Sequence, residues 1–146
     1  MRVRDLVGGG RKVITIEPGA PLSEAMDLLL SHEIGALPVV GSDGSAVGLL
    51  SERDVVRAVH GAAGPVASLP VSRAMRRPPP TCDLEDSLLA VTARMTRERA
   101  RHLVVCDRGK LAAVLSVGDL VKHRLEQLET ETGVLRDYLV GQRARV

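Results

Sequence analysis

Residues 48–56 read GLLSERDVV and residues 113–121 read AVLSVGDLV, so the chain writes one motif twice: an apolar run, Ser-x-x-Asp, then a second apolar run. Ser51 and Ser116 stand 65 positions apart, as do Asp54 and Asp119. A unit repeated at fixed spacing cannot bury its hydrophobic face alone and must stack against its copy. With 146 residues, the chain has room for one compact domain or for two small units sharing a core.

The repeat extends in both directions. IGALPVV (34–40) faces ARHLVVC (100–106) at an offset of 66, so one residue is missing from the second turn, DRG (107–109) against GSDG (41–44). A Gly/Asp cluster between apolar runs signals a hairpin. Strands are therefore predicted at Ala36–Val40 and Ala46–Leu50, and again at His102–Cys106 and Leu111–Leu115. A helix precedes each hairpin: Leu22, Ala25, Met26 and Leu29 recur at helical spacing, matched by Leu88, Val91 and Met95, and Pro21 suits a first helical turn. Before each helix lies an extended piece, VITI (13–16) or PPPTC (78–82), and after each hairpin a helix begins, at Asp54–His60 and at Asp119–Leu128. Each copy is thus β-α-β-β-α, and the predicted fold class is α/β, two repeats packed sheet against sheet. The expected division is repeat 1 over 1–62, a Gly/Ala/Pro-rich linker over 63–70, repeat 2 over 71–128 and a helical extension and tail over 129–146.

Composition narrows the function. Nearly half of the residues (45%) are hydrophobic, yet there is one Tyr and no Phe or Trp, so Val, Leu, Ile, Ala and Met must build the core. Single-stranded nucleic-acid binders stack bases on aromatic rings, and this chain offers only Tyr138. A net charge of +2 is no dedicated polyanion surface, so a nucleic-acid partner is not expected. No apolar run reaches the roughly 18–20 residues of a membrane span, and MRVRDLVGGG has no signal-peptide core. Cys82 and Cys106 lack CxxC spacing and the four His show no ligand spacing with them, so a cytoplasmic protein with reduced thiols and no metal is expected. The sequence has no G-x-S-x-G, no suggestive carboxylate pair and no G-x-x-x-x-G-K-[ST], and GGG (8–10) followed by Arg-Lys reads as a loop. The expectation is a protein that is not an enzyme.

Ser-x-x-Asp admits two uses. As a near capping box, the Ser oxygen accepts from the N–H three residues on, and the acidic group favours the helix N-terminus. As a binding site, the same helix start offers free N–H groups and a positive dipole end to a phosphate. The Ser hydroxyl then donates to a phosphate oxygen while the carboxylate accepts from both hydroxyls of a ribose. The two uses are compatible.

The order β-α-β-β-α, the IGALPVV strand, the GSDG turn and the GLLSERD junction resemble a cystathionine-β-synthase (CBS) domain, and two in tandem resemble a Bateman module of pseudo-two-fold symmetry. The openings VRDLV (3–7) and VSRAM (71–75) resemble the family's lead-in segments. The resemblance implies a regulatory ligand, an adenosine-containing nucleotide held in clefts between the repeats: AMP or ATP foremost, with ADP, S-adenosylmethionine and NAD(H) sharing the same adenosine. It implies that Ser51, Asp54, Ser116 and Asp119 hold ribose and phosphate, and that backbone at Thr15, Ile16, Thr81 and Cys82 reads the adenine edge. Leu49 and Val114 would form apolar walls, and Ala36, Leu37 and Pro38 would line one cleft. Arg101 and His102, where the first copy has Gly35 and Ala36, resemble a basic pair that reaches ligand phosphates, and Arg53 would supply a cation to the first copy. Ala113 in place of Gly48 implies a narrower floor in one cleft.

Beyond the second copy, Val121, Leu125, Leu128, Thr132, Leu135 and Leu139 are spaced 4-3-4-3-4, with Gly133 between them. This helix either packs back on its own module or pairs between subunits, and a homodimer is expected, with Tyr138 a packing residue. The function expected is a metabolite-sensing module acting through dimer geometry or a separate effector protein; the alternative is an interaction protein that kept the fold without a nucleotide.

Overall fold

The computed structural model describes residues 1–7 and 12–144, with side chains up to residue 133. The GGG loop and the side chains of Leu135, Tyr138 and Leu139 lie outside the described residues. Two compact units make up the chain, Met1–Leu115 and Ser116–Val146.

In the first unit, helix α1 (Val3–Val7) is followed by α2 (Leu22–Ser31), the hairpin β1 (Ala36–Val40) and β2 (Ala46–Ser51), and α3 (Glu52–Gly61). After a 3₁₀ turn at Val71–Arg73 come β3 (Thr81–Asp83), α4 (Leu88–Glu98), β4 (His102–Asp107) and β5 (Lys110–Ser116). The second unit opens on the last residue of β5 and consists of α5 (Val117–Ala144). Both predicted hairpins form, and the turns explain the missing residue. Arg108 and Gly109 both take positive φ (50° and 79°), the signature of a two-residue turn that matches strand twist. The first turn is longer and holds only Gly44 at positive φ (82°), and its Asp43 accepts from the backbone N–H and hydroxyl of Ser45 (3.0 and 2.7 Å). Those hydrogen bonds hold the Asp43 carboxyl below its usual range.

The extended pieces keep the repeat's symmetry. Ile16 bridges Val39 in parallel, as Cys82 pairs Val105, both at the offset of 66. Strand β3 forms a three-stranded sheet with β4 and β5, whereas in the first copy only Ile16 of the VITI segment bridges. Helix α2 buries Leu22, Ala25 and Leu29, and α4 buries Leu88, Val91 and Met95, as their spacing demands. Pro21 proves to be the N-cap of α2 in extended conformation rather than part of its first turn. It offers no side-chain cap, so the backbone before the second repeat supplies one: Leu22 donates to Leu69 O and Ser23 to Ala67 O (both 2.9 Å). In α4 the matching residue is Ser87, whose Oγ accepts from Ala90 N (3.3 Å).

The lead-in segments cross over. Val3 and Arg4 donate to Asp86 O and Leu84 O (3.0 and 2.9 Å), and Leu88 donates to Met1 O (3.0 Å), so α1 lies on the second repeat. Reciprocally, Val71 donates to Ala20 O and Ser72 to Pro18 O (2.8 and 2.9 Å), which lays the second lead-in on the first repeat. Val3 and Val71 are both fully buried. Arg2 and Arg4 pair with Glu85 beside α1, and the guanidinium of Arg4, then that of Arg2, holds its carboxyl below the ordinary carboxylate range.

Alternation along the strands divides the core. Leu37, Val39 and Leu50 pack with Ile16, Leu22, Leu29 and Val55 under the helices. Ala36 and Leu49, on the other face, pack against Val104 of β4 with Ala46, Cys106 and Leu111 around them, which places the two sheets face to face. Among the described residues, the largest fully buried side chains are Leu, Val and Pro, each Leu or Val contributing about 1.5–3 kcal/mol of burial.

Gly48 has a packing reason that its place before the Ser-x-x-Asp motif conceals. A Cβ there would overlap Met75 Sδ and lie 3.1 Å from Arg76 O, because the second lead-in runs alongside and Leu49 exchanges two backbone hydrogen bonds with Arg76 (3.0 and 2.8 Å). The space beside Gly48 is filled by Met75. Gly48→Ala is expected to destabilise the protein by about 1–3 kcal/mol in urea unfolding. Gly133→Ala, with nothing within 4 Å, is expected to gain up to about 1 kcal/mol of helix propensity in the same assay.

Candidate functional site

Strand β2 ends and α3 begins on the same residue. Ser51 is the N-cap of α3 in extended conformation, and it forms a full capping box with Asp54. Ser51 Oγ accepts from Asp54 N (3.2 Å), while Asp54 Oδ2 accepts from Ser51 N and from Ser51 Oγ (both 2.9 Å). The other carboxylate oxygen, Oδ1, accepts from Arg57 Nη1 (3.2 Å). Asp54 is the one buried charged residue among the described residues, at 9% exposure.

The second copy repeats the cap with fewer bonds. Asp119 N donates to Ser116 Oγ (3.0 Å) and Ser116 N to Asp119 Oδ2 (2.9 Å). Among the described residues, no further donor reaches the Asp119 carboxylate, and Lys122, in the place of Arg57, forms no ion pair. Asp119 is half-buried.

Around the first pair, Glu52 N donates to Gly35 O (3.0 Å), tying the first turn of α3 to the start of β1. A Cβ on Gly35 would lie 3.0 Å from His102 Nε2, 3.2 Å from its Cε1 and 4.0 Å from Glu52 Oε1. The imidazole of the second repeat therefore sits at the N-terminal end of the first repeat's helix, in space that a side chain on residue 35 would fill. Arg101, next to it, is exposed, as is Arg53 on the first turn of α3.

The remaining predicted residues differ in burial and in what they face. Ala36 and Leu49 lie together between the sheets, whereas Leu37 points into the core of its own repeat and Pro38 is fully buried. Thr15 and Thr81 are exposed at the edges where Ile16 and Cys82 bridge β1 and β4. The Thr81 carbonyl accepts from Arg94 Nη2 (2.6 Å), a contact that its spacing from α4 does not announce. Val114 is half-buried on β5. Sequence reasoning missed Arg57 and Gly35. The i,i+3 spacing of Asp54 and Arg57 was the available signal for the first, and nothing local marks the second.

Comparison with known proteins decides the family. The CBS domain model matches residues 3–61 and again 71–126. The chain belongs to the CBS-domain family. It is 29% identical over 114 residues to the CBS domain-containing protein YhcV of Bacillus subtilis, covering 78% of this chain and 80% of that one. A crystal structure of a CBS-domain containing protein from Agrobacterium tumefaciens superposes with a TM-score of 0.78 at 37% identity, covering 84% of this chain and 92% of that one. A CBS domain protein from Pyrobaculum aerophilum, complexed with AMP, is similar at a TM-score of 0.76 and 27% identity, over 90% of this chain and 99% of that one. In the CBS pair here, the first lead-in belongs to the fold of the second repeat and the second to that of the first.

Among the described residues, no group of three or more His, Cys, Asp or Glu is placed to hold a metal ion, and no helix is long and apolar enough to cross a membrane. Cys82 and Cys106 are free thiols. Burial, with the nearby Asp86 charge second, pushes the Cys82 thiol up to about 11, and burial raises Cys106 as well. A thiol raised in the folded state stabilises it below the unfolded value of about 9, and that contribution is lost as pH rises towards 11. Native protein at pH 8 is therefore expected to react slowly with Ellman's reagent at Cys82, and guanidinium should make both cysteines react at the rate of free thiols. Fast native labelling of Cys82 would contradict this account.

Proposed function

We propose that the chain is a regulatory module that binds an adenosine-containing nucleotide through its Ser-x-x-Asp helix starts. The observation that carries the reading is the geometry of Ser51–Asp54 and Ser116–Asp119. Each pair sets a carboxylate and a hydroxyl at the positive end of a helix, where a ribose diol and a phosphate can be met together. The AMP complex of the Pyrobaculum relative supports the ligand class. In this reading Ser51 and Ser116 donate to phosphate, Asp54 and Asp119 accept from ribose hydroxyls, and Arg53, Arg101 and His102 supply positive charge. Backbone at Thr15, Ile16, Thr81 and Cys82 meets the adenine, with Ala36, Pro38, Leu49 and Val114 as apolar walls and Leu37 supporting them from the core. The module works in the cytoplasm, and its output passes to a separate effector protein.

The same reading includes a homodimer. On α5, Val121, Leu125 and Leu128 of the heptad-like seam are 41–53% exposed, with Val117 at 41% one turn before them, and in this reading that face meets a second subunit. Leu125→Glu is expected to shift the mass measured by light scattering from dimer to monomer; an unchanged mass would remove α5 from the interface.

The nucleotide reading is tested by thermal melting with AMP, ADP, ATP, S-adenosylmethionine and NADH, followed by calorimetry. A ligand present at about 100 times its Kd adds about 2.7 kcal/mol and raises the melting temperature visibly. Asp119→Ala is expected to abolish binding at the second pair, while Asp54→Ala leaves that binding intact. If none of the five compounds shifts the melt, the helix starts are caps only and the fold serves as an interaction surface.

A further inference from the structure

The two carboxylates at the helix starts are not equally available. A carboxylate offers about four acceptor positions. On Asp54 three are taken, by Ser51 N, Ser51 Oγ and Arg57 Nη1. On Asp119 one is taken, by Ser116 N, among the described residues. A vicinal ribose diol donates two hydrogen bonds. With each Ser hydroxyl turned to phosphate, Oδ2 of both carboxylates keeps only its backbone N–H, and the pairs differ in the other oxygen: among the described residues Asp119 Oδ1 is open, whereas Asp54 Oδ1 is shared with Arg57.

We infer that Arg57 is a built-in competitor for the ribose at the first pair, so that the two repeats bind the same nucleoside phosphate with unequal affinity, the second more tightly. This rests on the nucleotide reading above and adds to it a residue that sets the difference between the sites. Two observations bear on the size of the effect. The Arg57 side chain is 70% exposed and Asp54 only 11%, so the guanidinium reaches in from solvent onto a buried acceptor. A pair open to solvent on one side contributes at most about 1 kcal/mol, which corresponds to a graded handicap of about two- to fivefold and not to a closed site. The matching Lys122 forms no ion pair within the described residues. The sequence difference Arg57 against Lys122 thus becomes a difference in affinity.

AMP and 2′-deoxy-AMP, titrated calorimetrically into the full chain, test this. Asp119→Asn confines binding to the first pair and Asp54→Asn to the second, each keeping an amide oxygen for the cap. In the Asp119→Asn background, adding Arg57→Gln is expected to lower the Kd for AMP about two- to fivefold and to leave that for 2′-deoxy-AMP unchanged, since a single hydroxyl fits on Oδ2, away from Arg57. In the Asp54→Asn background, Lys122→Arg is expected to raise the Kd for AMP by a similar factor, which serves if the Asp119 variant folds poorly. An unchanged or higher Kd on adding Arg57→Gln, or an equal gain for both nucleotides, overturns the role of Arg57 while leaving the nucleotide reading standing. No AMP binding by the unsubstituted chain overturns both.

Discussion

The reciprocal exchange of lead-in backbone is the interaction on which the rest of the first unit depends. Residues at the N-terminus complete the turn before α4, and residues 67–72 complete the entry to α2. Pro21 cannot cap α2 through its side chain, so the first N–H groups of that helix would be orphaned without Leu69 O and Ala67 O. A helix that lost these acceptors would fray where Leu22 enters the core. Neither repeat is therefore complete from its own residues, and the small interior of each is supplemented by a buried valine at the crossing, Val3 or Val71.

The strands carry a second division of labour. Because side chains alternate, Leu50 serves its own repeat's core while Leu49 serves the contact between sheets, and Ser51 is left at the strand end to start α3. The position of the capping box follows from that sequence of demands. It lies where the strand finishes, with Gly35 O on the Glu52 N–H and the His102 imidazole beside Gly35.

Much of this was legible in the residues. The strands, both hairpins, α2, α4 and the aliphatic core follow from periodicity and turn chemistry, and Ser-x-x-Asp announces its cap. Pro21 was misread by one position, since its fixed φ suits both an N-cap and a first helical residue. The crossing of the lead-ins was not legible, because it is made by backbone groups that any residue carries. The packing of Met75 beside Gly48 was not legible either, because it joins segments far apart in sequence. The partners of Asp54 and Asp119 were not legible, since among the described residues the same motif gives three hydrogen bonds to one carboxylate and one to the other.

The meeting of Gly35 with His102 bears on how such a module can diversify. Residues 36 and 102 occupy matching places in the two repeats, as do 35 and 101. In an assembly of two separate, identical half-chains, a histidine at one place would appear at both, and the small residue that admits it would have to recur as well. Joining the halves in one polypeptide frees the two places from each other, so that one half can hold Gly-Ala where the other holds Arg-His. Covalent fusion is what allows this pseudo-symmetric frame to carry two chemically different ends.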